Sequence, residues 1–311
     1  MGTEANPNMV AREDLQEYAF AILRDNAKLL AEAKRICPVA PTGALAGRYA
    51  TFNDHQDFAV TDAKRVAGGP TATAKFAGKF NDYTLQPNAL KIGIDLEIEL
   101  PMAGANGKAV ERAKTRTLMA QAIGNFANDA YTILKAGRTA HATYGKWSDP
   151  NVDPIDEIEG AAIEIFEATG MWPNKVDITP QMWRYLKKNA LTLKRFGGKS
   201  ASMKMEDVGA EAGGFDMQLV TGAGLASGDF GQSAPAFTPM LGTACWIYYS
   251  NPLATGDNAT FACTLAVDED LLTNVYEYMS ADGTQRFLRI PWFTKPVVVS
   301  AALARRIDYS A

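Results

Sequence analysis

The stretch ALKIGIDLEIELP, residues 89–101, is a regular alternation of apolar and polar residues. Branched aliphatic residues occupy every second position from Leu90 to Leu100, and Pro101 ends the pattern. A period of two indicates a β-strand with one apolar face and one polar face. Ordinary strands have about 5–6 residues, so we predict an unusually long strand over 89–100. Little apolar sequence precedes it, so the cover for its apolar face must come from elsewhere.

The segment before this strand, residues 47–88, is rich in Thr, Ala, Lys and Asp and contains isolated aromatic residues. AGGP at 67–70 is typical of a turn. We therefore predict a long hairpin or extended loop that has too few large apolar residues to bury itself. Because an isolated two-stranded ribbon is marginally stable in water, we infer that a partner surface covers it.

Helical periodicity marks three further segments. Residues 11–35 are predicted to form one amphipathic helix, which we interpret as an N-terminal arm. Residues 108–134 are predicted to form a helix of about 40 Å, and residues 154–170 one that begins at Pro154 and ends at Gly170. The expected apolar stripes are Leu15, Tyr18, Ile22, Leu29 and Ala33 in the first, and Met119, Ile123, Phe126, Ala130 and Ile133 in the second.

Composition restricts the class of protein. The chain has 311 residues, a formal net charge of −4 and a pI of about 5.4, which argues against a protein held to nucleic acid by its own positive field. Its three cysteines include no CxxC pair, so we expect a reducing compartment and no disulfide scaffold. Neither a signal peptide nor an apolar run of the ~18 residues that span a bilayer is present. We expect a soluble protein made in the cytoplasm.

Motifs of catalysis and cofactor binding are weak. His55 and His141 are the only histidines, neither has a partner at metal-ligand spacing, and no GxSxG motif occurs, so we predict no metal site and no hydrolase triad. GAGLAS at 222–227 is similar to a dinucleotide-binding loop. The glycine- and proline-rich residues after it cannot open the helix that would hold a pyrophosphate. We interpret it as a connecting loop and expect a protein that is not an enzyme and has no cofactor.

The order of elements resembles the major capsid proteins of tailed bacteriophages, which have the α+β Hong Kong 97 capsid fold. Helix 154–170 runs into a Pro-Asn pair, a strand and a second helix, and LVTGAGLASGDFG is followed by a Gly-aromatic strand, as in that family. The residues that carry the first pattern are Gly170, Pro173, Asn174, Val176 and Leu186. The implied divisions are an N-terminal arm (1–46), an extended β-hairpin loop (47–88), a peripheral domain with long strand and spine helix (89–150), an axial domain (151–265) and a return to the peripheral domain (266–311).

This resemblance implies a function. Copies are expected to assemble as pentamers and hexamers into an icosahedral shell that encloses double-stranded DNA, held by weak and non-specific contact. Portal, scaffolding and decoration proteins are the other implied partners, without a membrane, and the shell would assemble in the cytoplasm of a bacterial host and form the virion capsid. No long charged segment precedes residue 47, so a fused scaffold is expected to be absent or already removed. Two alternatives remain: an encapsulin-like shell of a bacterial nanocompartment and, less favoured, a dinucleotide-binding enzyme.

The predicted subunit interface combines the first helix, the ribbon and the segment after residue 190. Isolated aromatic residues and lysines on these elements are the candidates, because they lack cover within the sequence around them. The candidates are Tyr18, Ile22, Phe52, Phe58, Lys64, Phe76, Lys79, Phe80, Tyr83, Arg195 and Phe196.

Overall fold

Two β-sheets with helices packed on them share one large cluster of buried side chains. In the computed structural model one sheet has six strands and the other has five. The residues that the structure describes are 9–52, 57, 64, 78–97, 107–136, 139–140, 146–198, 203–222, 224–227, 236–239, 241–253, 255, 258–269 and 271–308.

The six-stranded sheet is built around the long strand β14. β14 pairs antiparallel with β5 along one edge and with β13 and β12 along the other. Arg286 of β14, for example, lies between Ile94 of β5 and Met279 of β13. Two short strands complete the sheet: β2, parallel to β12, and β1, antiparallel to β13. The bounds are β1 Val10–Ala11, β2 Val39–Pro41, β5 Gln86–Asp95, β12 Ala262–Ala266, β13 Tyr276–Met279 and β14 Gln285–Val298.

The strand predicted over 89–100 is β5, shifted toward the N-terminus. Ile94 is fully buried, and Leu90 and Ile92 pack half-buried against the main cluster. The strand ends at Asp95 because Leu96 and Glu97 form a turn, in which the Glu97 backbone N–H donates to Asp95 Oδ1 at 2.9 Å. The predicted end at Leu100 lies outside the described residues.

Helix α3 (Gly107–Ala136) is the predicted spine helix, and it packs on β5 and β14. Met119, Ile123, Phe126 and Ala130 of the predicted stripe are buried. The apolar face of β5 therefore receives a large part of its cover from the same chain.

The N-terminal helix is in fact two helices, α1 (Glu13–Asp25) and α2 (Ala27–Ile36). They separate at Asn26, whose side-chain amide and backbone N–H both donate to the Ile22 carbonyl, at 2.9 and 3.0 Å. Both helices pack on α3, and their buried residues are Leu15, Ala19, Ile22, Glu32, Ala33 and Ile36. Residues 13–36 are therefore not a free arm, since their apolar stripe is covered by α3 of the same chain.

The five-stranded sheet has the order β6, β15, β11, β7, β8. Its central strand β11 is buried along its whole length. The last strand, β15, pairs with β11, so the end of the chain lies in this sheet, whereas the sequence division placed 266–311 with the peripheral domain. The bounds are β6 Thr139–Ala140, β7 Lys175–Ile178, β8 Asp216–Leu219, β11 Ala244–Tyr248 and β15 Ala304–Asp308.

Helix α4 (Pro154–Thr169) confirms both predicted ends. The Asp153 side chain accepts from the Ile155 N–H at 3.0 Å, and Gly170 ends the helix with φ +72°, in the left-handed region, which a glycine adopts without steric cost. The other helices of this part of the chain are α5 (Pro180–Lys188), α6 (Ala190–Arg195) and α7 (Met205–Glu211).

Two hairpins lie outside these sheets. One pairs β3 (Ala46–Thr51) with β4 (Lys79–Thr84), and the other pairs β9 (Gly224–Ser227) with β10 (Ala236–Pro239). A short 3₁₀ helix, Ala301–Leu303, precedes β15. Among the helices that the structure describes, none combines the length and apolar character that crossing a bilayer requires.

Candidate subunit interface

The β3–β4 hairpin is the base of the predicted ribbon, and its side chains are only partly buried. Tyr83 and Leu85 join a second small apolar cluster. Phe80 of β4 is 61 % exposed, and Leu45, next to β3, is 55 % exposed. The cluster partners on the body of the chain are Ala40, Cys263, Leu265, Val297 and Val299. Large apolar side chains at this level of exposure are suited to contact with another surface.

A glycine–aromatic pair fixes the buried side of the hairpin. Gly47 lies directly opposite Tyr83, and a Cβ placed on Gly47 would be only 2.8 Å from the Tyr83 hydroxyl oxygen. The tyrosine ring therefore lies across the glycine, which leaves no room for a side chain there. The hairpin is joined to the body by the packing of Tyr83 in the second cluster and by the Phe52 N–H, which donates to the Val299 carbonyl at 2.9 Å.

Strand β5 presents one open edge. Within the described residues it pairs only with β14, so the backbone groups on its other side have no partner strand. Lys114 of α3 covers one of them, since its Nζ donates to the Gly93 carbonyl at 2.7 Å. An unpaired edge of this length is a template for a strand from another molecule.

The predicted interface residues differ in how far the chain itself buries them. Phe80 and Lys79 are exposed on the hairpin, Lys64 is exposed, and Tyr18, Phe52 and Phe196 are half-buried. Ile22 and Tyr83 are buried within the chain, which corrects their assignment to the surface. Arg195 pairs with Asp153 and Asp156 of the same chain, and Phe58 and Phe76 lie outside the described residues.

A buried polar contact attaches α2 to α3. Glu32 is 1 % exposed, and Tyr131 Oη donates to its Oε2 at 2.9 Å. Burial raises the pKa of Glu32, whereas the hydrogen bond from Tyr131 opposes that shift. The carboxylate thus carries a desolvation penalty that its partner offsets only in part.

A second contact attaches α2 to the five-stranded sheet. Arg35 Nε donates to Asp177 Oδ1 at 2.9 Å, and Tyr248 Oη donates to Asp177 Oδ2 at 2.6 Å. Asp177 is fully buried, so removal of either donor would leave a buried carboxylate poorly satisfied. This network fixes the N-terminal helices to the body of the subunit.

Charged residues also connect the start of α1 to the six-stranded sheet. Arg12 pairs with Glu277 of β13 and, at 3.2 Å, with Glu111 of α3, and Arg286 of β14 also pairs with Glu111. The start of α1, helix α3 and the strands β13 and β14 are therefore joined by part-buried ion pairs as well as by apolar packing.

Asn189, which sequence reasoning missed, joins the start of α6 to the segment 147–152. Its Oδ1 accepts from the N–H groups of Leu191 and Thr192, at 2.9 and 3.3 Å, and so caps α6. Its Nδ2 donates to the carbonyls of Trp147, Asp149 and Val152, at 3.1, 3.1 and 2.8 Å. An Asn before an apolar-periodic run is a recognisable helix start, but the contacts to 147–152 have no local sequence signal.

The GAGLAS segment and the candidate metal ligands are not arranged as a cofactor or metal site within the described residues. The last four residues of the GAGLAS segment form the hairpin strand β9 and pair with β10, whereas in a dinucleotide site this stretch leads into the first turn of a helix. Among the residues that the structure describes, no group of three or more His, Cys, Asp or Glu side chains could hold a metal ion. His55 and His141 lie outside those residues.

Comparisons with known proteins give likeness of structure only. The chain matches no protein-family model, and no curated protein is similar to it in sequence. A phage-related protein from Bordetella bronchiseptica RB50 is similar with a TM-score of 0.70 and 18 % identity, over 96 % of this chain and 97 % of that chain. The capsid of cyanophage P-SCSP1u gives 0.52 and 10 %, over 88 % and 86 %. A virus-like particle from Pyrococcus furiosus gives 0.51 and 10 %, over 95 % and 98 %.

Proposed function

We propose that this chain, which has the Hong Kong 97-type fold of tailed-phage capsid proteins, is a major capsid protein that builds a closed shell from copies of itself. The observation that carries the proposal is the β3–β4 hairpin, which exposes Phe80 and Leu45; within the described residues β5 also has one edge without a partner strand. In the assembled shell a neighbouring copy would bury these surfaces. The likeness to capsid structures supports this reading by analogy of fold.

Assembly follows from repeated contacts of modest strength. A contact between two different patches of one chain generates a ring when the rotation closes, and we propose that these rings are pentamers and hexamers. Linked copies bind one another at high effective concentration. A stable shell therefore does not need any single contact to be strong.

We propose that the shell encloses double-stranded DNA. The formal net charge of −4 supports weak, non-specific contact, because a strongly basic lining would bind phosphate tightly and hinder release. Portal, scaffolding and decoration proteins would be further partners, and the assembled shell would be the virion capsid. The protein would have no catalytic activity.

A bacterial compartment of the encapsulin kind is the second candidate. This chain shares its fold, over 95 % of its length, with a virus-like particle from Pyrococcus furiosus, and the fold alone does not determine what a shell contains. Such a shell would hold a cargo protein in place of DNA. The subunit contacts we describe would serve either content equally well.

The content of purified particles distinguishes the two candidates. We expect particles from the natural host to protect DNA from added nuclease, with that DNA released when the shell is dissociated. Particles that contain a single co-purifying protein and no protected DNA would favour the compartment. Failure of the protein to form particles at any concentration would contradict both.

A further inference from the structure

Two surfaces outside the hairpin have opposite character. One lies on α4 and around Trp172 and is apolar and acidic, and the other lies on α5 and α6 and is basic. We infer that they bind each other between adjacent copies, so that each copy offers its basic face to the apolar–acidic face of the next. This inference rests on the proposed function and identifies one of its contacts.

The apolar–acidic face is defined here by Ile163, Phe166, Glu167, Trp172 and Asp207, all of which are exposed. Ile163, Phe166 and Glu167 are spaced by three and four residues on α4 and so share one side of the helix. Trp172 makes an edge contact with Phe166, the ring centroids being 6.1 Å apart.

Trp172 is held rigidly although 42 % of it is exposed. Its ring stacks on Phe215 with centroids 5.9 Å apart, and its Nε1 donates to the Gly213 carbonyl at 3.2 Å. An exposed tryptophan that is already fixed loses little conformational freedom on binding, and such residues commonly dominate the binding energy of interfaces.

Acidic residues flank this aromatic pair. Glu167 follows Phe166 on the exposed side of α4. Asp207 and Glu211 are exposed one turn apart on α7, where Glu211 Oε1 lies 3.8 Å from Arg195 Nη1 of the same chain, and the chain just beyond that helix contacts Trp172 through Gly213. A cation placed over the exposed part of the indole would gain from the ring, and the negative charge of Glu167 and Asp207 would add to the attraction of that surface for cations.

The basic face is defined here by Arg184, Lys188 and Lys194, all exposed. Between Pro180 and Lys204 the sequence has seven Lys or Arg residues and no Asp or Glu, although the whole chain has a net charge of −4. None of the three makes an ion pair with a described residue. Arg184 and Lys188 are four residues apart on α5 and so project from one side.

Complementary charge identifies the second copy as the occupant. Both faces belong to one chain and are formed by different residues, so the contact is between unlike patches, which is the kind that closes into rings. Nucleic acid is the alternative ligand of the basic face. Nucleic acid bound there would leave the rigid Trp172 and the acidic residues of the other face without a role.

The test exchanges the charges of the two faces. We expect the basic-face variant Arg184→Glu/Lys188→Glu and the acidic-face variant Glu167→Lys/Asp207→Lys each to reduce the assembled fraction by at least about ten-fold, because like charges then meet across the contact. All four changes in one chain restore opposite charges across each contact, so we expect assembly to return. Circular dichroism melting of each variant checks that the subunit still folds.

Several outcomes would overturn the inference. Normal assembly by either two-residue variant would do so, as would failure of the four-residue variant to recover while it melts like the wild-type protein. A basic-face variant that assembles normally but retains less nucleic acid would assign the basic face to packaged nucleic acid. If the wild-type protein did not assemble at all, the proposed function itself would fail, and these results therefore remain distinguishable.

Discussion

Asn189 shows how one side chain can determine the arrangement of several segments. It is 4 % exposed and hydrogen-bonds both the start of α6 and the backbone of 147–152. Asn189→Ala removes a helix cap and leaves buried carbonyls without donors, so we expect a loss of about 2–4 kcal/mol in the free energy of unfolding. Urea denaturation measures it.

Two matched variants give the control for Asn189. Asn189→Ser keeps an acceptor for the cap but cannot reach the carbonyls, so its loss should be intermediate. Gln181→Ala, at an exposed position of the neighbouring helix, should change stability by less than about 0.5 kcal/mol. Equal stability of the Ala variant and the wild-type protein would mean that these contacts do not form.

Ile94 tests the apolar face of β5. It is fully buried in the main cluster, and Ile94→Asp would place a charge there without a partner, so we expect destabilisation of at least about 3 kcal/mol. Ala89→Asp, at an exposed position on the opposite face of the same strand, should be nearly neutral. Thermal melting of both variants decides, and a wild-type melting temperature for Ile94→Asp would show that the face is not buried.

At the scale of helices and strands, α2 is attached to α3 through the carboxylate of Glu32, whose charged form is disfavoured by burial. Because the folded state raises the pKa of Glu32, protonation favours folding, and its stabilising effect is lost as pH rises through the folded pKa. Glu32→Gln keeps an acceptor for Tyr131 and removes the charge. We therefore expect the variant to melt above the wild-type protein at neutral pH, with a difference that shrinks toward the ordinary glutamate range, about 4.3.

Melting temperatures of both proteins between about pH 7.5 and about pH 4.5 measure this difference. Glu17→Gln, at an exposed position of α1, removes the same charge from an exposed site and is the matched control. A pH-independent difference, or a wild-type protein that is more stable at neutral pH, would contradict this account of Glu32.

The helices were predicted well where the sequence carries a complete set of local signals, such as a start residue, a stop residue and an apolar stripe. Pro154 and Gly170 marked both ends of α4, and four of the five residues predicted for the apolar stripe of α3 are buried. The break at Asn26 was missed, because apolar spacing continues across it and the extra hydrogen bonds to Ile22 leave no periodic signal.

Long-range packing explains the larger errors. Residues 13–36 were predicted to leave the body, yet they pack on α3, since an amphipathic helix does not specify whose surface covers it. In the same way, the sequence did not show that Ile22 and Tyr83 are buried within the chain and not at the predicted subunit interface. The pairing of β15 with β11 depends on contacts about 60 residues apart along the chain, which periodicity does not encode.

The whole molecule is a body with a large core and a hairpin only half covered by it. The fold was predictable because the order of long strand, spine helix and capped helix resembles one family, even though no single motif specifies it. The interface was less predictable, because exposure depends on which surfaces the chain itself covers.

The most direct test compares the full-length protein with a variant in which residues 53–77 are replaced by Asn-Gly, which joins the paired strands by a short turn. The buried side of the hairpin stays intact, so we expect the variant to melt like the wild-type protein. Sedimentation and negative-stain electron microscopy should show closed shells for the full-length protein and only subunits or small oligomers for the variant. Full-length protein that stays monomeric would contradict the claim that a neighbouring copy covers the hairpin, and normal shells from the variant would contradict a part for residues 53–77 in that contact.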